Sequence, residues 1–142
     1  MASTKELDFI LTTPTGVIYE ESVSQVTITT SSGEITVLPE HTPLVSTLGT
    51  GSVVVKKNDI ETLFAIDGGV LEMRPDNTLV VLSDHSEQAN DIEIERAEEA
   101  LVRAQELMSK KEEGVDLDIN NLQQVMAREL NRVKIAKKNG RR

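Results

Sequence analysis

Glu40 and His41 stand between Pro39 and Pro43. Each proline fixes its own φ, and Pro43 also drives Thr42 towards extended backbone, so the ionisable pair rides on a loop with few alternative shapes. Such a loop loses little entropy when immobilised, which suits docking to another surface. An unperturbed histidine titrates near pH ~6.5, so protonation would tune a contact made there. The plainer role for His41 is a hydrogen bond from its imidazole to a backbone group of its own loop. Arginines form the second set: Arg96 and Arg103 seven residues apart, Arg128 and Arg132 four apart, with Lys134 beside the latter. Guanidinium groups from two elements can clamp a triphosphate through paired hydrogen bonds. They can equally form solvated ion pairs with Glu99, Glu106 or Glu129, each worth little.

Other chemistry finds no foothold. No GxxxxGK[ST] exists, and Gly49-Thr50-Gly51-Ser52 lacks the lysine that reaches a phosphate. His41 and His85 stand far apart with no HExxH spacing, so a clustered zinc set is not expected. No GxSxG elbow accompanies the serines. The chain has no cysteine, which removes disulfides, thiolate metal sites and cysteine nucleophiles. The expectation is a non-catalytic protein that needs no cofactor.

Short strands must position the first set. Candidates are residues 7–12, 17–21, 23–30, 34–38, 52–57, 61–67, 70–74 and 78–83, with alternation plain in Val26/Ile28/Thr30 and Ile35/Val37. Asn58-Asp59 and Pro75-Asp76-Asn77 are turn signals, and Gly68-Gly69 is expected to break its run and let the chain reverse. Many strands at this spacing indicate an antiparallel sandwich or flattened barrel. Helical periodicity takes over after Ser86. Asn90 with Glu93 resembles a capping box; Ala97, Ala100, Leu101, Ala104, Leu107 and Met108 mark one face. Gly114 is the expected stop. Asp118 can cap a second helix whose face is Leu122, Val125, Met126, Leu130, Val133 and Ala136. Two elements, residues 1–86 and 87–142, therefore carry the two sets.

Composition agrees with that division. Aromatics are only 2% of the 142 residues, so the core is built from Val, Ile and Leu. Residues 1–86 hold 12 acids and 4 bases; residues 87–142 hold 12 and 11. Within the second part, residues 87–113 are net −5 and residues 121–142 net +6, with Asp116 and Asp118 between. Neighbouring segments of opposite sign attract each other or seek different partners. An acidic chain, −9 overall, is a poor nucleic-acid binder. No apolar run reaches the ~18 residues of a membrane span, and MASTKELDF has no signal-peptide core.

Gly33-Glu34-Ile35-Thr36-Val37-Leu38-Pro39-Glu40-His41-Thr42-Pro43-Leu44 resembles the "GELGI-P-x-H-x-PL" signature of the epsilon subunit of rotary proton-driven ATP synthases, with Thr36 where the family often has Gly. Ile66-Asp67-Gly68-Gly69, Leu71-Glu72 and Arg96-Ala97 extend the likeness over nearly the whole chain. It implies an α+β fold, an N-terminal antiparallel β-sandwich followed by a C-terminal antiparallel α-helical hairpin. It also implies a central-stalk role: the sandwich couples the γ subunit to the c-ring, with Glu34, Glu40 and His41 at those contacts. By the same resemblance the hairpin would open, insert among the catalytic α and β subunits and block hydrolysis, with Arg128, Arg132 and Lys134 making the inhibitory contact. Some members hold ATP between the helices through I/L-D-x-x-R-A. The match here is Ile92-Glu93-Ile94-Glu95-Arg96-Ala97, supplemented by Arg103, Arg128 and Arg132, so ATP is the one regulatory ligand implied. Glu93 replaces the aspartate, and Asn121 stands where an arginine is usual. The implied location is the cytoplasmic face of the plasma membrane, held peripherally without insertion, or the thylakoid membrane for a plastid-encoded chain.

Overall fold

Leu7, Phe9, Leu11 and Thr13 alternate with Asp8, Ile10 and Thr12, and in the computed structural model they are the buried side of β1 (Leu7–Thr13). The structure describes residues 5–112, 114 and 118–140. Arg141, Arg142 and Asp116 lie outside the described residues. Six more strands follow: β2 (Gly16–Val23), β3 (Gln25–Thr30), β4 (Gly33–Val37), β5 (Leu44–Lys57), β6 (Ile60–Met73) and β7 (Thr78–Gln88). They form one sheet in the order β2-β1-β7-β6-β5-β3-β4. The sheet folds over itself into a sandwich. Tyr19 on the edge strand β2 packs on Phe64 of β6, three strands away in that order, at a ring separation of 5.6 Å. The inward residues of all seven strands make one cluster that includes Phe9, Ile28, Phe64, Leu71 and Leu79.

The strands differ from expectation in three ways. The chain is strand again straight after the proline-flanked loop, and residues 44–51, outside the candidate strands, run on into 52–57 as the 14-residue β5. Gly68-Gly69 does not reverse the chain, so the two strands expected on either side of it are one, β6. The glycines bend it instead. Gly69 has φ 119 and lies so close to the Leu82 carbonyl that a Cβ has no room there. Long strands that bend can serve both layers of a sandwich. The third difference is a parallel pair, β1 with β7, from Asp8 opposite Thr78 to Thr12 opposite Leu82, inside an otherwise antiparallel sheet. The two expected turns are present. Asn58 and Asp59 both take positive φ, and Lys57 pairs Ile60 across them.

The sheet ends at Gln88, two residues beyond Ser86, and internal contacts divide the chain between Gln88 and Ala89. The second unit holds a short 3-10 turn (Ala89–Asp91), α1 (Ile94–Glu112) and α2 (Ile119–Gly140). The helices run antiparallel: Lys137 near the end of α2 meets Glu98 near the start of α1 at 3.4 Å, and Asn139 donates to Asn90 at 2.6 Å. Asn90 is thus occupied with α2 and does not cap α1, which starts four residues later. Glu93 accepts the Ala97 N–H through its backbone, while its carboxylate pairs with Arg96. Asp118 does cap α2, its carboxylate accepting the Asn121 N–H at 3.1 Å. Gly114 has φ 92, which suits a helix stop. On α2 Leu122, Val133 and Ala136 are buried as expected, and the seam departs from expectation at one turn. Glu129 is buried and Leu130 is 58% exposed.

Candidate functional site

The proline-flanked loop, residues 38–43, leaves β4 and lies beside the β6–β7 turn. Glu40, His41, Thr42, Pro43, Pro75, Asp76 and Asn77 line one depression at this end of the sandwich. The loop turns tightly, with the His41 N–H donating to the Leu38 carbonyl at 3.1 Å. Glu40, third in that turn, has φ 63. Positive φ is uncommon for residues other than glycine, so the neighbours must hold it. Asn77 accepts the Glu40 N–H on Oδ1 at 2.6 Å, and Lys5 reaches the Glu40 carboxylate at 2.7 Å. His41 bonds its own loop, Nδ1 to the Thr42 carbonyl at 2.7 Å. A carbonyl only accepts, so Nδ1 is the donor in this bond.

Glu34 is not part of this group. It pairs with Thr29 next to the β3–β4 turn, at the opposite end of β4. Three residue steps, about 10 Å, separate it from Val37, the last strand residue before the loop. Asn77, by contrast, is a residue that sequence reasoning placed only in a turn. Its long-range bonds are invisible in sequence, and its left-handed φ of 65 is the local trace of its special position.

A second surface lies on the outside of the sandwich. Val45, Glu72, Val80 and Ile10 are successive partners across β5, β6, β7 and β1, and Val70 is opposite Leu82 in the next row. Paired residues share a face. Val45 is 69% exposed, Leu82 48% and Val70 43%, so the face is largely apolar and open. On the inner side, burial chiefly, and then the hydrogen bond to Glu21, push the Tyr19 hydroxyl up to about 12. Lys57 bonds the Glu21 carboxylate at 3.0 Å and, with the Tyr19 hydroxyl, holds it below the usual carboxylate range.

The arginines of the hairpin do not all converge. Glu98 opposite Lys137 sets the register, which puts Arg103 level with Arg132. Arg96 lies about 10 Å further along the axis, seven residues at ~1.5 Å each. Arg96 is paired with Glu93 at 2.8 Å, both exposed. Arg103 shares a shallow surface with Glu95, Glu98, Glu99, Val102 and Glu106, all on α1. Arg132 bonds the buried Glu129 carboxylate at 2.9 Å, and Arg128 stands 3.8 Å from its other oxygen. Ile92 and Ala97 are buried, Lys134 exposed. Among the described residues no group of three or more His, Asp or Glu could hold a metal ion, and no helix is long and apolar enough to cross a membrane.

The fold, a bent-strand sandwich followed by a helical hairpin, is that of subunits seen in rotary ATP synthases. It superposes on a chain of the Euglena gracilis mitochondrial ATP synthase OSCP/F1/c-ring assembly with TM-score 0.67, at 20% identity over 96% of this chain and 80% of that one. The Tetrahymena thermophila mitochondrial ATP synthase central stalk/c-ring gives TM-score 0.62 at 14% identity, over 97% and 98% of the two chains. Sequence takes this further. Residues 6–89 match the family profile of the ATP synthase delta/epsilon chain β-sandwich domain, and residues 90–137 that of its long α-helix domain. The ATP synthase epsilon chain of Desulforamulus reducens is 34% identical over 96% of this chain and 99% of its own length. That of Halalkalibacterium halodurans is 38% identical over 87% and 92%. The chain belongs to the ATP synthase delta/epsilon family, as an epsilon chain of the bacterial type.

Proposed function

We propose that the sandwich fastens the γ subunit to the c-ring in the central stalk and that the hairpin restrains ATP hydrolysis by the catalytic α and β subunits. The observation that carries the stalk role is the open apolar face of Ile10, Val45, Val70, Val80 and Leu82, laid across four adjacent strands. An apolar patch of this kind, interrupted by Glu72 between Val45 and Val80, marks a protein-binding surface, and γ is its occupant. The loop at 38–43 meets the c-ring. Through that ring the chain is held peripherally at the membrane. The inhibitory role rests on α2, whose sequence holds the bases Arg128, Arg132, Lys134, Lys137 and Lys138 and a single acid, Glu129. Opened, this helix would be steered to acidic surface between the catalytic subunits.

Reconstitution with ATP synthase stripped of this chain tests both roles. Leu82→Asp is expected to prevent assembly. A chain ending at Gln88 is expected to assemble and to raise hydrolysis above that of the full chain. Equal hydrolysis would remove the inhibitory role, and normal assembly of Leu82→Asp would remove the docking face. A triphosphate held between the helices is a second reading, favoured by the level placement of Arg103 and Arg132. Slower amide exchange throughout the hairpin when ATP is added is its expected mark.

A further inference from the structure

Asn77 makes a hydrogen bond with every polar group it owns. Its N–H donates to the Arg74 carbonyl at 3.2 Å, and its carbonyl accepts from the Asp8 N–H at 3.1 Å. The side chain reaches the other way. Oδ1 takes the Glu40 N–H at 2.6 Å, and Nδ2 donates to the Glu6 carbonyl at 2.8 Å. One residue therefore joins the β6–β7 turn, the entry to β1 and the loop carrying Glu40 and His41.

Two left-handed residues meet in this arrangement. Asn77 follows the Arg74-Pro75-Asp76 turn at φ 65, the bulge position of a three-residue hairpin loop where glycine is usual. A turn that needed only its backbone would be served by glycine. Asparagine tolerates the same φ and adds a carboxamide. Its target is the N–H of Glu40, itself at φ 63 and in need of an external constraint. Lys5 on the Glu40 carboxylate adds an exposed ion pair of little weight. The charged-side-chain contact is thus the weaker tie, and the amide clamp the stronger.

We infer that Asn77 is the positioning residue that presets the 38–43 loop for docking, so that partner binding does not have to order it. This deepens the stalk reading and rests on it. A preset loop binds faster and more tightly because its ordering cost is met on folding. Neither the proline pair nor His41 alone achieves this, since Glu40 between them has the φ that its own residue type disfavours.

The test compares Asn77→Gly, which keeps the backbone φ and removes the carboxamide, with Asn77→Asp, which keeps the acceptor for Glu40. In the full-length chain, NMR hydrogen exchange at the Glu40 amide is expected to speed up by about tenfold in Asn77→Gly, the order set by loss of one hydrogen bond. Asn77→Asp should remain near wild type. Affinity for ATP synthase stripped of this chain should fall by a similar factor in Asn77→Gly and be largely restored in Asn77→Asp, at unchanged unfolding midpoint. Unchanged Glu40 exchange in Asn77→Gly would overturn the clamp. Faster exchange with unchanged affinity would overturn its role in docking. A wild-type chain that fails to rebind would count against the stalk reading, while the exchange data would still decide the clamp.

Discussion

The sandwich and the hairpin are held together by different amounts of buried carbon. In the sandwich, Phe9, Phe64, Ile28, Leu71 and Leu79 are at most 1% exposed, and residues from every strand share one cluster. In the hairpin the fully buried position of α1 is Ala97; Ala104 follows, and α2 contributes Ile135 at 4% with Leu122, Val133 and Ala136 at 7–8%. Alanine brings helices close but removes little apolar area from water, at ~25 cal/mol per Å². A buried acid, Glu129, interrupts the α2 seam where an apolar residue would add to it. One region is built to stay as it is. The other has the modest internal cohesion of an element that can come apart, which is what its proposed regulatory role requires.

Breaking each region by its own weak point would sharpen that contrast. The largest effect belongs to Phe64→Ala, which empties the contact with Tyr19. It is expected to cost the sandwich about 3–5 kcal/mol, read from the urea midpoint of a chain ending at Gln88. A loss under about 1 kcal/mol would mean that the core is less tightly packed than its burial implies. In the hairpin the opposite sign is expected. Replacing Glu129 and Arg132 together by leucine exchanges their ion pair for apolar seam and should stabilise the folded hairpin by about 1 kcal/mol, seen as slower α2 amide exchange. Faster exchange would show the Glu129–Arg132 bond to be a net support. Asp118→Ala, which removes the α2 cap, should cost about 1 kcal/mol, and its fraying is expected in the first turn of α2 alone.

The smallest effect is a titration. Tyr19 is the chain's one tyrosine, so ultraviolet absorbance reports it without ambiguity. Folded, its hydroxyl is pushed up to about 12; unfolded, it returns to about 10. The folded state therefore holds the proton more tightly. The resulting stability is complete below pH ~10 and is lost as pH rises from there towards 12. Glu21 acts at the other end. Its lowered value gives stability present above the unfolded carboxylate range and lost as pH falls through the folded value. Tyr19→Phe should abolish the alkaline slope. An absorbance midpoint near 10 in the folded chain would mean that the ring edge is wetter than the packing on Phe9 and Phe64 requires.

Much of the architecture was written in local pattern. Alternation in Val26/Ile28/Thr30 and the turn chemistry of Asn58-Asp59 act between near neighbours, so they are legible without the fold. The full extent of β5 was not, because serine, threonine and glycine at 46–51 blur the join between the strand that leaves the loop and the one at 52–57. Gly68-Gly69 carries the same signal for a bend as for a reversal; only pairing to both sides decides. Glu129 and Leu130 exchange places because a helical face about 100° wide admits either neighbour at its margin. Of the loop residues, the prolines announced the rigid segment. Its principal fastening, Asn77, lies 37 residues from Glu40 and has no local pattern.

The parallel pairing of β1 with β7 also bears on how the molecule is made. Asp8 finds its partner Thr78 only once the chain has reached that far strand. Long-range parallel pairing closes a large loop before it gains any contact, so this step is slow compared with the β5–β6 hairpin. During synthesis the β1–β2 ribbon emerges first, with Leu7, Phe9 and Leu11 uncovered until β7 arrives. Until then the nascent chain presents a sticky edge, and the interval before Gln88 appears is when aggregation or chaperone capture competes most strongly with folding.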